Sequence, residues 1–107
     1  MHQSLAEILK SLGDENRLKI LSHLSENELC VYEIMDKLGM SQSTVSHHLK
    51  ILKNTELIKG RKAGKWIFYS INEDKAKDCH KILNDLFGQF SNAPYYREDL
   101  CEKCDNV

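Results

Sequence analysis

The chain has one proline and few β-branched runs, so little in it resists helix formation. No apolar run approaches the roughly 18 residues that cross a bilayer, and no signal peptide is expected. A cytoplasmic protein with no membrane partner is therefore expected. It lacks a nucleophile–base arrangement and a phosphate-binding glycine loop, so an enzyme is not expected. It also lacks repeats and low-complexity segments. What remains is 107 residues, 41% hydrophobic and 29% charged, enough for one modest core and too ordered in composition for a disordered chain.

A large net charge is missing too, the total being −1, but the charges are unevenly placed. Residues 1–40 carry four basic against seven acidic side chains, residues 41–65 six against one, and residues 66–107 five against eight. A nucleic-acid surface needs such a local basic patch, not a basic total. On charge alone, a solvated lysine-rich face would read the same way.

The basic segment begins with the most informative stretch, residues 41–53. It opens on Ser41 and repeats Val45, Leu49, Ile51 and Leu52 at helical spacing. Its other face carries Gln42, Ser43, Thr44, Ser46, His47, His48 and Lys50, small or polar groups suited to base edges and phosphates. Before it runs a helix-like segment, 31–38, closed by Gly39. Helix, glycine-bearing turn and polar-faced helix predict a helix-turn-helix, whose second helix enters the major groove of double-stranded operator DNA.

The flanks extend that unit. Leu5, Ile8, Leu9 and Leu12 form an amphipathic stripe over 3–12, ended by Gly13. Asp14 can cap a second helix running to about Leu24, with Leu18, Ile20, Leu21 and Leu24 apolar and Arg17 on its outer side. A polar turn, 25–28, and residues 29–31 lead into the third helix. After Leu57 the period alternates. Ile58 and residues 66–71 predict two short strands joined by a basic turn with Gly60 and Gly64. This hairpin reads as a wing that lays Arg61, Lys62 and Lys65 along phosphates or into the flanking minor groove. Trp66, Phe68 and Tyr69 read as packing residues rather than base-stacking ones.

From residue 73 to about 90 the helical period returns. Ala76, Cys79, Leu83, Leu86 and Phe90 form a seam widened by Ile82 and Phe87. A small winged domain has no spare core for so apolar a terminal helix, so homodimerisation is its expected use. The predicted fold is mainly α with a small β-hairpin: a winged helix-turn-helix over residues 1–92, dimerising through its terminal helices. A cysteine-containing tail, 93–107, follows.

With these pieces in hand, the chain resembles the ArsR/SmtB family of metal-responsive repressors, and within it the arsenic-sensing branch. The resemblance rests on Leu12-Gly-Asp-Glu-Asn-Arg-Leu-Lys-Ile-Leu21, Glu28-Leu-Cys-Val31, Ser41-Gln-Ser-Thr-Val-Ser-His-His-Leu49 and Arg61-Lys-Ala-Gly-Lys-Trp-Ile-Phe-Tyr-Ser70. It covers about residues 5–90. It implies a winged-helix homodimer that binds operator DNA and is released by an inducer, usually a thiophilic or borderline metal ion. By position it carries DNA contacts to Gln42, Ser43, Thr44, Ser46 and His47. His48 either meets phosphate or hydrogen-bonds within the domain. Glu56 departs from the family, which often has glycine there.

Four cysteines in a cytosolic chain point to metal ligands or redox thiols rather than structural disulfides. Cys30 occupies a position where metal-sensing relatives supply a thiolate, but the second cysteine of their motif is Tyr32 here. Cys101 and Cys104 form a lone Cys-x-x-Cys able to chelate a soft ion. Cys79 lies on the terminal seam and reads as packing. The family's terminal-helix site is not matched. Its first histidine is Lys75 here, with Leu86 and Gln89 at its later positions; starting from Asp78 and His80 instead gives Ser91 and Pro94. His80 is expected on the surface. The candidate set is therefore Cys30, Cys101 and Cys104. Three thiolates suit arsenite or antimonite as inducer, with cadmium or lead as alternatives and no metal needed for the fold. A reversible disulfide among the same thiols, or DNA binding with no inducer, are the competing expectations.

Overall fold

The computed structural model describes residues 4–88. Within them the order is α1 (Leu5–Leu12), α2 (Glu15–Leu24), β1 (Leu29–Cys30), α3 (Val31–Leu38), α4 (Gln42–Asn54), β2 (Ile58–Ala63), β3 (Trp66–Ile71) and α5 (Glu73–Gly88). This is the expected winged helix-turn-helix, with one strand more than the hairpin. The antiparallel sheet runs β1-β3-β2, and Leu29 and Cys30 sit opposite Tyr69 and Phe68.

Short side chains start the first two helices, Asp14 as the sequence predicts and Ser4 two residues later than the stripe over 3–12 suggested. Ser4 accepts the Glu7 N–H at the head of α1, and Asp14 accepts the Arg17 N–H at 3.0 Å at the head of α2. Each satisfies one of the donors that a helix leaves unpaired in its first turn. Gly39 ends α3 in the left-handed region, φ 64°, returning its N–H to the Met35 carbonyl at 2.8 Å. Without a Cβ it makes this turn at no steric cost.

One buried cluster unites the elements. Ile20 of α2 and Val45 and Leu52 of α4 are 0% exposed, with Ile34 of α3 at 1%. Ile8 of α1, Leu29 of β1, Ile58 of β2 and Cys79 of α5 join the same cluster. Cys79 is thus a packing residue, as expected. Two apolar assignments are corrected: Leu9 and Leu18, placed on buried stripes, are 41% and 51% exposed.

The hairpin is tighter than the sequence suggested. β2 and β3 stay paired from Ile58↔Ile71 to Ala63↔Trp66, leaving only Gly64 and Lys65 as the loop. Gly64 has φ 64°, as two-residue hairpin loops require. Gly60 is therefore a strand residue, not a turn residue. It sits opposite Tyr69, and a Cβ there would come within 3.1 Å of Ile67.

Between α4 and β2, Glu56 adopts φ 62°, and its carboxylate lies 3.7 Å from the Lys75 amine. Glycine pays no side-chain clash in this region, whereas a residue with a Cβ is strained by roughly 1–2 kcal/mol. Glu56→Gly is expected to raise stability by about 0.5–1 kcal/mol after the extra chain entropy of glycine and the lost ion pair are set against that strain. Urea unfolding of the two proteins checks it; a less stable glycine variant would show the ion pair outweighs the strain.

Candidate nucleic-acid interface

Ser41 caps α4: its Oγ accepts the Thr44 N–H at 3.3 Å, and its O–H donates to Thr44 Oγ1 at 2.9 Å. The helix then divides cleanly. Val45, His48, Leu49 and Leu52 are buried, while Gln42, Ser43, Thr44, Ser46, His47 and Lys50 are exposed. Lys53 is exposed as well. The sequence placed all but one of these correctly.

The exception is His48. It is 8% exposed and faces inward, so the outer-face assignment is corrected. The Arg17 guanidinium lies 3.3 Å from His48 Nδ1. Arginine can only donate, so Nδ1 is the acceptor in this contact. Arg17 Nε also donates to the Ser11 carbonyl at 2.6 Å. Arg17 is therefore a half-buried bridge from the end of α1 to α4, not an outer residue. The Asp14 carboxyl lies 3.9 Å from His48 and is held below its usual range, chiefly by the Arg17 N–H. A second polar tie joins the same elements, Ser11 Oγ and Thr55 Oγ1 at 3.4 Å. These contacts hold the reading helix on α1 and α2. The spacing Asp14-x-x-Arg17 hinted at the cap but not at the partner on α4.

On the wing, Arg61 is already engaged. Its guanidinium forms a two-pronged pair with Glu28, Nη2 to Oε1 at 2.6 Å and Nε to Oε2 at 3.0 Å. It also lies over the Phe68 ring, 5.2 Å from the centroid. The pairing pulls the Glu28 carboxyl below its usual range and raises the Arg61 guanidinium. A phosphate would have to compete with Glu28 for this side chain. Lys62 and Lys65 are exposed, and Lys50, Lys53 and Lys62 form no ion pair among the described residues. Trp66, expected to pack, is 41% exposed and meets the edge of Tyr32 at 5.7 Å.

Cys30 is buried and stands at the head of α3, where its backbone N–H donates to Glu33 Oε1 at 3.0 Å. That bond is the main reason the Glu33 carboxyl is held low. Because Cys30 also pairs with Phe68 in the sheet, it touches the helix-turn-helix and the wing at once. Cys101 and Cys104 lie outside the described residues. Among the described residues no group of three histidine, cysteine or acidic side chains converges to hold a metal, so Cys30 alone does not make an inducer site.

The last helix leaves an apolar row uncovered. Ile82, Leu86 and Phe87 are 45%, 51% and 64% exposed. Leu5 and Ile8 of α1 line the same hollow as Cys79 and Ile82 of α5, so the two terminal helices present one surface. His80 is exposed, as expected. No helix among the described residues is long and apolar enough to cross a membrane.

Residues 14–59 match the family model described as bacterial regulatory protein, arsR family. The chain is 45% identical over 86 residues to an uncharacterised HTH-type transcriptional regulator of Methanocaldococcus jannaschii, covering 79% of this chain and 97% of that one. It is 40% identical over 85 residues to the arsenical resistance operon repressor of Staphylococcus aureus, covering 79% and 75%. Some relatives are longer, the chain spanning 63% and 61% of two of them. In three dimensions it resembles the homodimeric winged helix-turn-helix DNA-binding domain of a possible ArsR-family regulator from Mycobacterium bovis. That likeness has a TM-score of 0.64 at 28% identity and covers 86% of each chain.

Proposed function

The chain belongs to the ArsR family of DNA-binding transcriptional regulators, and from that premise we propose that it is a repressor released from operator DNA by a thiophilic metalloid. The single observation that carries the DNA part is the division of α4. A capped helix with an apolar face sunk in the core presents Gln42, Ser43, Thr44, Ser46, His47 and Lys50 to solvent, beside a wing bearing Lys62 and Lys65. Gln42 fits adenine, and the hydroxyls fit bases or phosphates. Arg61 joins them once it leaves Glu28. His48 holds the helix in place and is not among the contacts.

A homodimer completes the reader. The exposed row Ile82, Leu86 and Phe87, together with Leu9, is the surface we assign to the two-fold interface. Two copies of α4 then address two half-sites related by the same symmetry.

Trivalent arsenic or antimony is the inducer favoured by the thiols, and cadmium or lead is the alternative. Cys30, Cys101 and Cys104 are the proposed ligands. The support for Cys30 is its place: it heads α3 and pairs with the wing strand, so a change at its sulfur strains both DNA-contacting parts. A coupling of about 1–3 kcal/mol, or 5- to 150-fold in operator affinity, is typical of such linkage. The test is operator-bound protein titrated with arsenite, antimonite, cadmium and lead under reducing conditions. Release by arsenite in the parent chain and no release in Cys30→Ser are expected. Equal release in both would exclude Cys30. Release by oxidant alone would favour a redox sensor.

A further inference from the structure

The wing and the reading helix enclose a cleft of about 390 Å³ that reaches beyond the residues assigned to DNA so far. One wall is a single face of α4: Gln42, Ser46, Lys50 and Lys53, spaced four, four and three residues apart. Such spacing stacks side chains along one side of a helix, here over about 16 Å. The opposite wall carries Lys65 and Trp66 of the wing, and Tyr32, in edge contact with Trp66, lines the cleft as well. No carboxylate lines the cleft. Three ammonium groups without an acid make it a site for an anion.

Two features narrow the anion to an extended one with flat or apolar parts. Tyr32 and Trp66 are 51% and 41% exposed, yet they brace each other edge to face at 5.7 Å, with the Lys65 amine 5.7 Å from the Trp66 ring centroid. Each ring offers an apolar face to a sugar and a polar hydrogen to a phosphate oxygen. The cleft is also continuous with the exposed face of α4, since Gln42, Ser46 and Lys50 belong to both.

We propose that one sugar–phosphate strand of the duplex runs through this cleft, held by Lys53 and Lys65 and seated against the Tyr32–Trp66 pair. The inference rests on the DNA-binding reading above and adds Lys53, Tyr32 and Trp66 to the interface. It gives the tyrosine that stands in place of a second cysteine a role at the DNA.

Trp66 is the single tryptophan of the chain, so its emission reports on this cleft directly. The experiment titrates the full chain with a mixed-sequence duplex of about 30 base pairs, three helical turns, at several salt concentrations. Anisotropy of the labelled duplex and Trp66 emission are read together. Trp66 emission should change and saturate with the anisotropy. Lys53→Gln should weaken binding and lower the slope of log affinity against log salt by about 1.8, the value of two phosphate contacts, one from each protomer of the dimer. Lys77→Gln, on the exposed side of α5, should leave the slope unchanged. Tyr32→Ala should weaken binding while its far-ultraviolet circular dichroism matches the parent's. Binding by anisotropy with silent Trp66 emission and an unaltered Lys53→Gln slope would overturn this inference and leave the DNA reading standing. A Trp66 response to a small aromatic carboxylate such as benzoate equal to that with duplex, at matched ionic strength, would also overturn it. No anisotropy change with any duplex would overturn the DNA reading itself.

Discussion

Leu86→Asp is expected to turn the proposed dimer into a monomer and to weaken operator binding by about 100-fold or more. Leu86 is half exposed at the centre of the apolar row on α5, between Ile82 and Phe87. Burial of one leucine contributes about 1.5–3 kcal/mol, and two-fold symmetry counts each change twice. An aspartate there would also be forced against its own copy or left unpaired in an apolar interface. The loss in DNA affinity follows from linkage. Two reading helices on one body bind the second half-site at an effective concentration of about millimolar, and the avidity gain is on the order of 10² to 10⁴. Multi-angle light scattering gives the mass, and anisotropy with a two-half-site duplex gives the affinity. A variant that stays dimeric would place the interface elsewhere; a monomer with parental affinity would break the link between dimerisation and reading.

The second large effect contrasts the two faces of α4. Leu52→Ala removes most of a side chain that is 0% exposed, and such changes cost about 2–5 kcal/mol. For a domain of this size each kcal/mol lowers Tm by roughly 4–8 °C, so a fall of about 8 °C or more is expected. Gln42→Ala, on the exposed face, should leave Tm within the change for about 0.5 kcal/mol. It should instead cost operator affinity by about 5- to 150-fold for each half-site, the equivalent of one lost base contact per protomer. Thermal unfolding followed by circular dichroism, paired with anisotropy, separates the two outcomes. If Gln42→Ala lost stability or kept full affinity, the division of the helix into a packing face and a reading face would be wrong.

Much of this arrangement was legible before the fold because its chemistry is local. Asp14, Gly39 and Ser41 announce helix ends through groups that act within three or four residues, and the structure uses all three as the sequence predicts. The apolar periods of α4 and α5 were equally plain. What escaped was set by distant partners. β1 is two residues long and has no period of its own; Leu29 and Cys30 become a strand only because Tyr69 and Phe68 lie opposite. Gly60 reads as a turn residue until the partner strand continues past it.

His48 was legible only as two alternatives, a phosphate contact or a hydrogen bond within the domain, and the structure shows the second. Its place in the stripe Val45, His48, Leu49, Leu52 is a buried one, but its polarity argued for the surface. Arg17, thirty-one residues earlier, supplies the donor that makes burial tolerable. Arg61 was legible as a wing cation but not as the partner of Glu28. Leu9 and Leu18 looked like core because a stripe does not reveal how many faces a helix buries. The thiol site is the least legible part: Cys30 and Cys79 are placed, one at the reading head and one in the core, while Cys101 and Cys104 lie outside the described residues.

The most direct measurement is selection of bound duplexes from a random-sequence library by the folded, reduced chain, followed by anisotropy on the winners. A two-fold-related sequence should emerge, with half-site centres about 10–10.5 base pairs apart or a multiple of that spacing. Arsenite should then release the selected duplex. Enrichment of no sequence over the starting library, by protein shown to be folded, would contradict a site-reading repressor built on α4.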